Sequence, residues 1–266
     1  ISAFCNAGFS LYTDSLARYA TNVPVMLTIC SLIIVGGLGF PVIFNLSNLN
    51  VVLKRRNIEI PYTPTRLQTK LAIAITFWLL VVGTIVIWAG EYNGALGGYN
   101  SFDKVMVSFF NSVTARTAGF STVDITMFSQ GTLLGIMILM FIGASPGSTG
   151  GGIKTSTFGV LMITFWTKIR SLENIEVYGR TIPKVNMLKA ISVIVLSFLI
   201  LNLFFYAMLI SEKGQYFIAV LFETISAFGT VGLSLGLTEY LSESGKIIII
   251  ALMLIGRVGP LTIAFA

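Results

Sequence analysis

The chain has 266 residues, of which 55% are hydrophobic and only 11% are charged, and its mean hydropathy is +0.88. Because soluble domains are about one quarter charged, this composition excludes a soluble globular domain and predicts a membrane protein. The sequence contains no His, which excludes His-based catalysis and His metal ligation, and Cys5 and Cys30 are too few for a disulfide framework.

Four apolar segments are long enough to cross a bilayer, which takes about 20 residues. In chain order they are residues 23–44, residues 71–89, a split segment at 133–142 and 153–166, and residues 187–210, while a fifth begins near Ile247. Two shorter apolar segments, 102–115 and 216–228, fit half-length helices that enter the membrane without crossing it. Residues 1–4 are expected to be the tail of a third such helix.

Two linkers hold most of the positive charge and predict the orientation in the membrane. Residues 54–70 and 168–189 each contain five Lys or Arg, whereas most acidic residues lie at the opposite ends of the predicted spans. Because basic loops stay on the cytoplasmic side, both linkers are predicted to be cytoplasmic. The net charge of +6 then reflects topology and contact with anionic lipid, so no nucleic-acid partner is expected.

A six-residue motif recurs three times, as CNAGFS at 5–10, RTAGFS at 116–121 and GTVGLS at 229–234. Its glycines, Gly8, Gly119 and Gly232, are 111 and 113 residues apart. Each copy follows a half-length segment and precedes a long one. A glycine turn between helices would explain one copy, but three copies in one context indicate a repeated unit of span, half-helix, glycine loop and span.

The repeat predicts an all-α, polytopic membrane fold built from such units. The unit boundaries are predicted at 1–55 for the end of one unit, 56–180 for a second complete unit, and 181–266 for a truncated one. The chain is therefore expected to be an internal fragment of a longer protein.

The glycine loops suit the binding of a dehydrated cation. Backbone carbonyls can replace the water around an ion, and Gly permits the required backbone angles without placing a side chain in the pore. The predicted filter residues, whose carbonyls would bind the cation, are Asn6, Ala7, Gly8, Phe9, Thr117, Ala118, Gly119, Phe120, Thr230, Val231, Gly232 and Leu233.

The third unit also has a break inside its second span, at the sequence GASPGSTGGG. A proline and five glycines cannot continue a helix, and broken backbone hydrogen bonds within a membrane are costly. The break resembles a phosphate-binding P-loop, but Ile153 stands where that motif needs Lys. A gate and a packing kink are the two remaining interpretations. The candidate gate residues are Gly143, Ala144, Ser145, Pro146, Gly147, Ser148, Thr149, Gly150, Gly151 and Gly152, together with Lys154 and Arg257.

With these motifs the chain resembles the membrane subunit of the Trk/Ktr/HKT potassium transporter superfamily, most closely the Ktr type. The resemblance implies four potassium-channel-like units around one pore with pseudo-four-fold symmetry, of which residues 1–55, 56–180 and 181–266 would belong to the second, third and fourth. It also implies a gate at the broken helix, a pore arginine at Arg257, K⁺ as substrate and Na⁺ as a coupling or activating ion. It also implies a homodimer with a cytoplasmic nucleotide-binding regulatory subunit, and location in the cell membrane. Glycine in every loop goes with potassium selectivity in this superfamily.

Three further expectations concern single features. Arg257 lies mid-membrane and is interpreted either as a positive barrier to ions or as a structural anchor. Arg116 is expected to point behind the filter and to pair with Glu223. Gly36 to Gly39 indicate close helix packing or a hinge.

The function predicted from the sequence is potassium uptake without covalent chemistry, by a protein that is not an enzyme and needs no cofactor. The alternative is a secondary transporter coupled to Na⁺ or H⁺, since broken helices occur in such proteins too.

Overall fold

The computed structural model of the chain describes residues 1–54, 67–171, 176–177 and 180–259. In chain order the helices in these ranges are α1 Val23–Leu38, α2 Phe40–Lys54, α3 Leu67–Glu91, α4 Ser101–Thr114, α5 Gln130–Phe141, α6 Thr155–Ile169, α7 Lys184–Ser211, α8 Phe217–Gly229 and α9 Glu243–Val258. Two strands of two residues each, β1 Glu176–Val177 and β2 Arg180–Thr181, pair in antiparallel orientation. Short 3-10 turns lie at Ala17–Tyr19, Ile125–Met127 and Leu237–Tyr240.

Two helices are long and apolar enough to cross a membrane by themselves, α3 with 25 residues and α7 with 28. Both keep large apolar side chains exposed, such as Phe77, Trp78 and Phe198, which would be unfavourable in water but suits contact with lipid. The fold is therefore that of an all-α integral membrane protein, as the sequence predicts.

The first predicted span, 23–44, is not one helix. It breaks at Gly39, and α1 and α2 meet at an angle of 96°, so that only the bent pair together reaches spanning length. Gly39 has φ +83°, and a Cβ there would lie 2.8 Å from the backbone nitrogen of Ser148. The sequence predicted a single span with either close helix packing or a hinge at Gly36 to Gly39, and the structure has the hinge, whose bend is set by tertiary contact with another part of the chain.

The split segment agrees with the prediction, since α5 ends at Phe141 and α6 begins at Thr155. The half-length helices α4 and α8 lie within a residue or two of their predicted bounds. Residues 1–4 form turns rather than a helix, although the Cys5 amide donates to the Ile1 carbonyl at 3.0 Å, a helix-like bond. Of the predicted cytoplasmic linkers, residues 55–66, 172–175 and 178–179 lie outside the described residues, as does the predicted boundary at 55–56.

The half-length helices lie inside the bundle. Helix α4 packs against α1 and α3, and α8 packs against α5, α7 and α9. Phe110 of α4 and Phe222 of α8 are fully buried. Burial of such large side chains stabilises each half-helix by roughly 1.5–3 kcal/mol per residue and orients its end toward the middle of the bundle.

One kind of contact recurs in two units, at the C-terminal ends of the long helices α3 and α7. Glu91, at the end of α3, accepts a hydrogen bond of 2.8 Å from the amide of Ser129, the N-cap of α5. Glu212, after α7, accepts a bond of 3.2 Å from the amide of Ser242, the N-cap of α9. Both carboxylates are buried. We call these contacts the outer clamps, because each ties the end of a long helix to the start of the helix after the glycine loop.

Candidate functional site

The three repeated motifs adopt the same backbone geometry. We call Asn6–Phe9 loop A, Thr117–Phe120 loop B and Thr230–Leu233 loop C. The glycines Gly8, Gly119 and Gly232 have φ values of +72°, +79° and +90°. Two residues earlier, Asn6, Thr117 and Thr230 have φ values of +50°, +75° and +51°. Two positive φ values at the same spacing in all three loops indicate that the repeated sequence specifies a repeated backbone path.

The loops lie side by side in chain order. A Cβ on Gly8 would lie 2.8 Å from the Ala118 carbonyl oxygen of loop B, and a Cβ on Gly119 would overlap the Val231 carbonyl oxygen of loop C. The Asn6 side-chain amide donates to the Thr117 hydroxyl at 3.3 Å, which joins loops A and B directly. Glycine is therefore required at these positions by both the backbone angle and the neighbouring loop.

Side chains of the half-helices α4 and α8 form hydrogen bonds with loop B and with the residues that follow loops B and C. In loop B, the Asn111 amide donates to the Thr122 hydroxyl at 3.2 Å, and the Thr114 hydroxyl donates to the Phe120 carbonyl at 2.7 Å. In loop C, the buried Glu223 carboxylate accepts from the Ser234 hydroxyl and, at 3.0 Å, from Thr238. These bonds were not predicted from the sequence, because polar residues in an apolar half-helix give no indication of which loop atom they reach.

The predicted pairing of Arg116 with Glu223 is wrong. The Arg116 guanidinium is buried and donates to two carbonyl oxygens, that of Thr76 at 3.4 Å and that of Gly143 at 3.2 Å. Glu223 is already satisfied by hydroxyl groups of its own unit. The expectation that Arg116 points behind the glycine loops agrees with the structure, but carbonyl groups take the place of the acid.

Residues 143–152 are here called the central loop. Its two ends are bonded to each other and form what we call the neck, and the residues between them form a turn. The Ile153 amide donates to the Phe141 carbonyl at 3.2 Å, and the Thr155 amide donates to the Ala144 carbonyl at 3.2 Å. The hydroxyl groups of Ser145 and Thr155 are 2.9 Å apart. The two ends of the loop are thus fixed to each other, and the turn projects from them.

The turn of the central loop lies against the ends of α1 and α9. The Ser145 amide donates to the Gly37 carbonyl at 2.9 Å, and the Phe40 amide donates to the Gly147 carbonyl at 3.2 Å. On the other side, the Gly152 amide donates to the Gly256 carbonyl at 3.3 Å. The central loop therefore bridges the second helices of two different units.

The same turn lies directly against the glycine loops. A Cβ on Gly150 would overlap the Thr117 hydroxyl of loop B, and a Cβ on Gly151 would overlap the Thr230 hydroxyl of loop C. These contacts leave no room for side chains, which explains the run of small residues. The predicted filter and gate residues are thus brought together in one place.

Two cationic side chains hold carbonyl groups of this turn. The Lys154 ammonium donates to the Gly150 carbonyl at 2.6 Å, and the Arg257 guanidinium donates to the Thr149 carbonyl. With Arg116 on Gly143, three cations bind three carbonyl oxygens of the central loop. In this conformation those oxygens are occupied by fixed positive charges.

Helices end at matching glycines in the units before and after the central loop, a match that was not predicted, although Gly36 to Gly39 were interpreted as close packing or a hinge. Gly36 of α1 lies against the Phe4 carbonyl and Gly256 of α9 against the Phe228 carbonyl, each too close for a Cβ. Three residues later, Gly39 and Gly259 have φ values of +83° and +98°. The signal was available, because GGLG at 36–39 and GRVG at 256–259 share the same spacing of glycines.

Known proteins match this chain over its whole length. A family model described as TrkH, cation transport protein, matches residues 1–266. The Ktr system potassium uptake protein B of Vibrio alginolyticus is 42% identical over 267 residues, which cover 100% of this chain and 57% of that protein. The protein of the same description from Bacillus subtilis is 41% identical, with 100% and 58% covered. The potassium/sodium uptake protein NtpJ of Enterococcus hirae is 39% identical, also with 100% and 58% covered.

A solved structure has the same fold. The potassium transporter TrkH from Vibrio parahaemolyticus superposes with a TM-score of 0.78 at 18% sequence identity, covering 99% of this chain and 56% of that one. The chain thus spans a little over half the length of the relatives that it matches.

Proposed function

Because the chain belongs to the TrkH family of cation transport proteins, we propose that it is part of a transporter that takes up K⁺ across the cell membrane. The observation that carries the proposal is the shared geometry of loops A, B and C, which repeat two positive φ values and contact one another in order. The potassium uptake named in the descriptions of the Ktr relatives supports the same substrate.

The proposed filter consists of the backbone carbonyls of loops A, B and C. Glycine and alternating backbone angles allow carbonyl oxygens to face a common axis, where they replace the water around a K⁺ ion. Selectivity then follows from the number and spacing of these oxygens, and no bond is made or broken. On this proposal the protein is not an enzyme and uses no organic cofactor, and K⁺ is its substrate.

A closed ring of loops around that axis would include a fourth loop, between loop C and loop A. Gly8 lies against loop B and Gly119 against loop C, but the nearest atom to a Cβ on Gly232 is the Gly119 Cα at 3.7 Å. A cavity of about 380 Å³ is lined mainly by residues of loops A and C, with Gly119 of loop B and residues of α8 and α9. These features support four units with pseudo-four-fold symmetry, of which this chain supplies 1–55, 56–180 and 181–266 as the second, third and fourth.

The central loop is the proposed gate. It lies against Thr117 and Thr230, next to the loops that would bind the ion, and its carbonyls hold Lys154 and Arg257. A bound ion would meet both a packed backbone and two positive charges at this level. We therefore interpret the conformation as closed, with opening by displacement of residues 143–152.

A secondary transporter coupled to Na⁺ or H⁺ is the alternative. The relative NtpJ is a potassium/sodium uptake protein, which makes Na⁺ the ion to test first as a coupling or activating ion. For partners, we propose the homodimer and the nucleotide-binding regulatory subunit implied by the resemblance, with the basic linkers 54–70 and 168–189 as the cytoplasmic docking surface.

Uptake of Rb⁺, a close analogue of K⁺, tests the proposed function. The full-length gene would be expressed in cells that lack their own potassium uptake systems, and Rb⁺ entry would be followed with and without Na⁺ and at two external pH values. Saturable Rb⁺ uptake that K⁺ inhibits and Na⁺ does not is expected. Uptake that requires a fixed ratio of Na⁺ or H⁺ would favour the alternative, and absence of Rb⁺ uptake in a membrane-inserted protein would refute both.

A further inference from the structure

Arg116 connects three parts of the molecule that the proposed function treats separately. It follows the end of α4 and directly precedes Thr117, the residue of loop B with φ +75°. Its side chain reaches the Thr76 carbonyl on α3 and the Gly143 carbonyl at the start of the central loop. One side chain therefore joins a glycine loop, a membrane-spanning helix and the central loop.

The carbonyl of Gly143 lies at the neck of the central loop. Gly143 is packed against Gly151 and Gly152 of the returning arm, where a Cβ would overlap the Gly151 carbonyl. The neck is closed by the Phe141–Ile153 and Ala144–Thr155 backbone bonds. A force on Gly143 is thus transmitted to both arms of the central loop.

The buried charge of Arg116 makes this connection strong. Only 6% of the residue is exposed, and within the described part of the chain the guanidinium faces carbonyl groups rather than an acid. A buried guanidinium without an acid depends on these carbonyl dipoles, since a charge that loses its hydrogen-bond partners in an apolar region is costly. Displacement of Gly143 would therefore require either that Arg116 follow it or that the charge lose a partner.

A small cavity, about large enough for one water molecule, lies beside the guanidinium. This cavity of about 20 Å³ is lined by Thr76, Arg116 and Ala144, with apolar residues of α1, α3 and α4 around it. Among the described residues, the buried Nε atom of Arg116 and the buried hydroxyl of Thr76 have no hydrogen-bond partner. The guanidinium is therefore held through its two terminal nitrogens.

From this arrangement we infer that Arg116 is a positioning residue that couples the central loop to loop B and holds the loop in its closed position. The inference rests on the proposed role of the central loop as a gate. Opening would shift Gly143 and, through Arg116, the backbone next to Thr117. The occupancy of loop B by an ion and the position of the central loop would then influence each other.

A double-mutant cycle in the full-length protein tests the inference. The variants are Arg116→Lys, deletion of residues 145–151, and both together, with Rb⁺ flux into proteoliposomes as the readout and Na⁺ competition as a measure of selectivity. Lysine keeps the charge, but its ammonium cannot reach two carbonyls in the way of the planar guanidinium. Arg18→Lys is the matched control, because Arg18 is exposed and its bond to Asp14 lies on the surface.

We expect Arg116→Lys to raise flux roughly tenfold and to weaken the preference for Rb⁺ over Na⁺. After the deletion, the same substitution should change flux less than about twofold, because the deletion removes the turn of the central loop through which Arg116 is inferred to act. An equal factor in both backgrounds would overturn the inference and assign Arg116 to the filter or the fold alone. If the deletion itself leaves flux unchanged, the gate is refuted, which is a separate result.

Folding of the variants is checked by the yield of monodisperse protein in detergent. If Arg116→Lys does not accumulate, Arg116→Gln, which keeps an amide donor without a charge, replaces it in the same cycle. Failure of both variants to accumulate would show that Arg116 is required for folding and would overturn the inference.

Discussion

At the scale of single residues, the site depends on backbone angles that most side chains avoid. Thr117 is β-branched and has φ +75°, a conformation that costs on the order of 1–3 kcal/mol. Its hydroxyl accepts from Asn6 and packs against Gly150, so contacts from loop A and the central loop hold it there. The positive φ values of the glycines could be predicted from the repeated motif. Those of Asn6, Thr117 and Thr230, which the motif also placed in the filter, could not, because non-glycine residues rarely adopt them.

The first prediction concerns the glycine of loop B. Gly119→Ala should lower Rb⁺ uptake about tenfold or more and reduce selectivity over Na⁺, because alanine is strained at φ +79° and its Cβ would overlap the Val231 carbonyl. Gly131→Ala is the matched control, since no atom lies within 4 Å of a Cβ at that position. Normal uptake and selectivity by Gly119→Ala would refute the assigned geometry.

The second prediction concerns Arg257. Neutralisation by Arg257→Gln should raise Rb⁺ flux several-fold, because it removes a fixed positive charge and weakens the bond to the Thr149 carbonyl. Lys246→Gln, the same loss of charge at an exposed position of α9, is the control and should leave flux unchanged. A folded Arg257→Gln protein with unaltered flux would indicate a purely structural anchor.

At the scale of secondary-structure elements, glycine positions decide where helices end. The second helices of two units end at glycines with positive φ, and the third unit inserts the central loop at the corresponding place. The sequence predicted the break in the third unit from its proline and glycines. It did not predict the 96° bend at Gly39, because the contact with Gly147 and Ser148 that requires it lies more than a hundred residues away.

The third prediction tests this contact. Gly39→Ala should push the central loop away from the corner between α1 and α2, since a Cβ would lie 2.8 Å from the Ser148 nitrogen, and Rb⁺ flux should rise. Gly37→Ala, two residues earlier, is the control, because its nearest neighbours would be at 3.5 Å and 4.0 Å, which is ordinary contact. Equal fluxes for the two variants would exclude the corner as part of the gate.

The outer clamps give the fourth prediction, on stability. Glu91→Ala removes the acceptor of the Ser129 amide at the start of α5, which should cost about 1–3 kcal/mol. A loss of 1 kcal/mol lowers Tm by about 2–4 °C in chains of this size, so thermal unfolding in detergent should show a clear decrease. Glu239→Ala, at an exposed position, should not change Tm; a Tm of Glu91→Ala equal to that of wild type would show that the clamp is dispensable.

At the scale of the whole molecule, the repeated unit determines the arrangement of the site. Loops B and C each follow a half-helix of similar length, α4 and α8, whereas loop A follows the turns at the start of the chain and meets loop B through Asn6 and Gly8. The membrane fold, both half-helices and the loop positions were predictable from hydropathy and the motif. The contacts between units, from Asn6 to Thr117 and from Arg116 to Gly143, were not, because they depend on how the units pack.

Two of the units share their helix ends. In the units before and after the central loop, Gly36 and Gly256 lie against the carbonyls of Phe4 and Phe228, and the helices end at Gly39 and Gly259. What distinguishes the third unit is the ten-residue central loop, which contacts both of the other helix ends. The proposed filter therefore follows the repeat, while the proposed gate depends on one unit and its neighbours.

The central claim is that loops A, B and C together bind the transported ion through their carbonyl groups. Anomalous diffraction from crystals of the full-length protein grown in Rb⁺ tests this most directly. The account predicts Rb⁺ peaks on the axis between Gly8, Gly119 and Gly232, and their loss when Na⁺ replaces Rb⁺. Peaks confined to carboxylate side chains, or no peak near these loops in a protein that takes up Rb⁺, would contradict it.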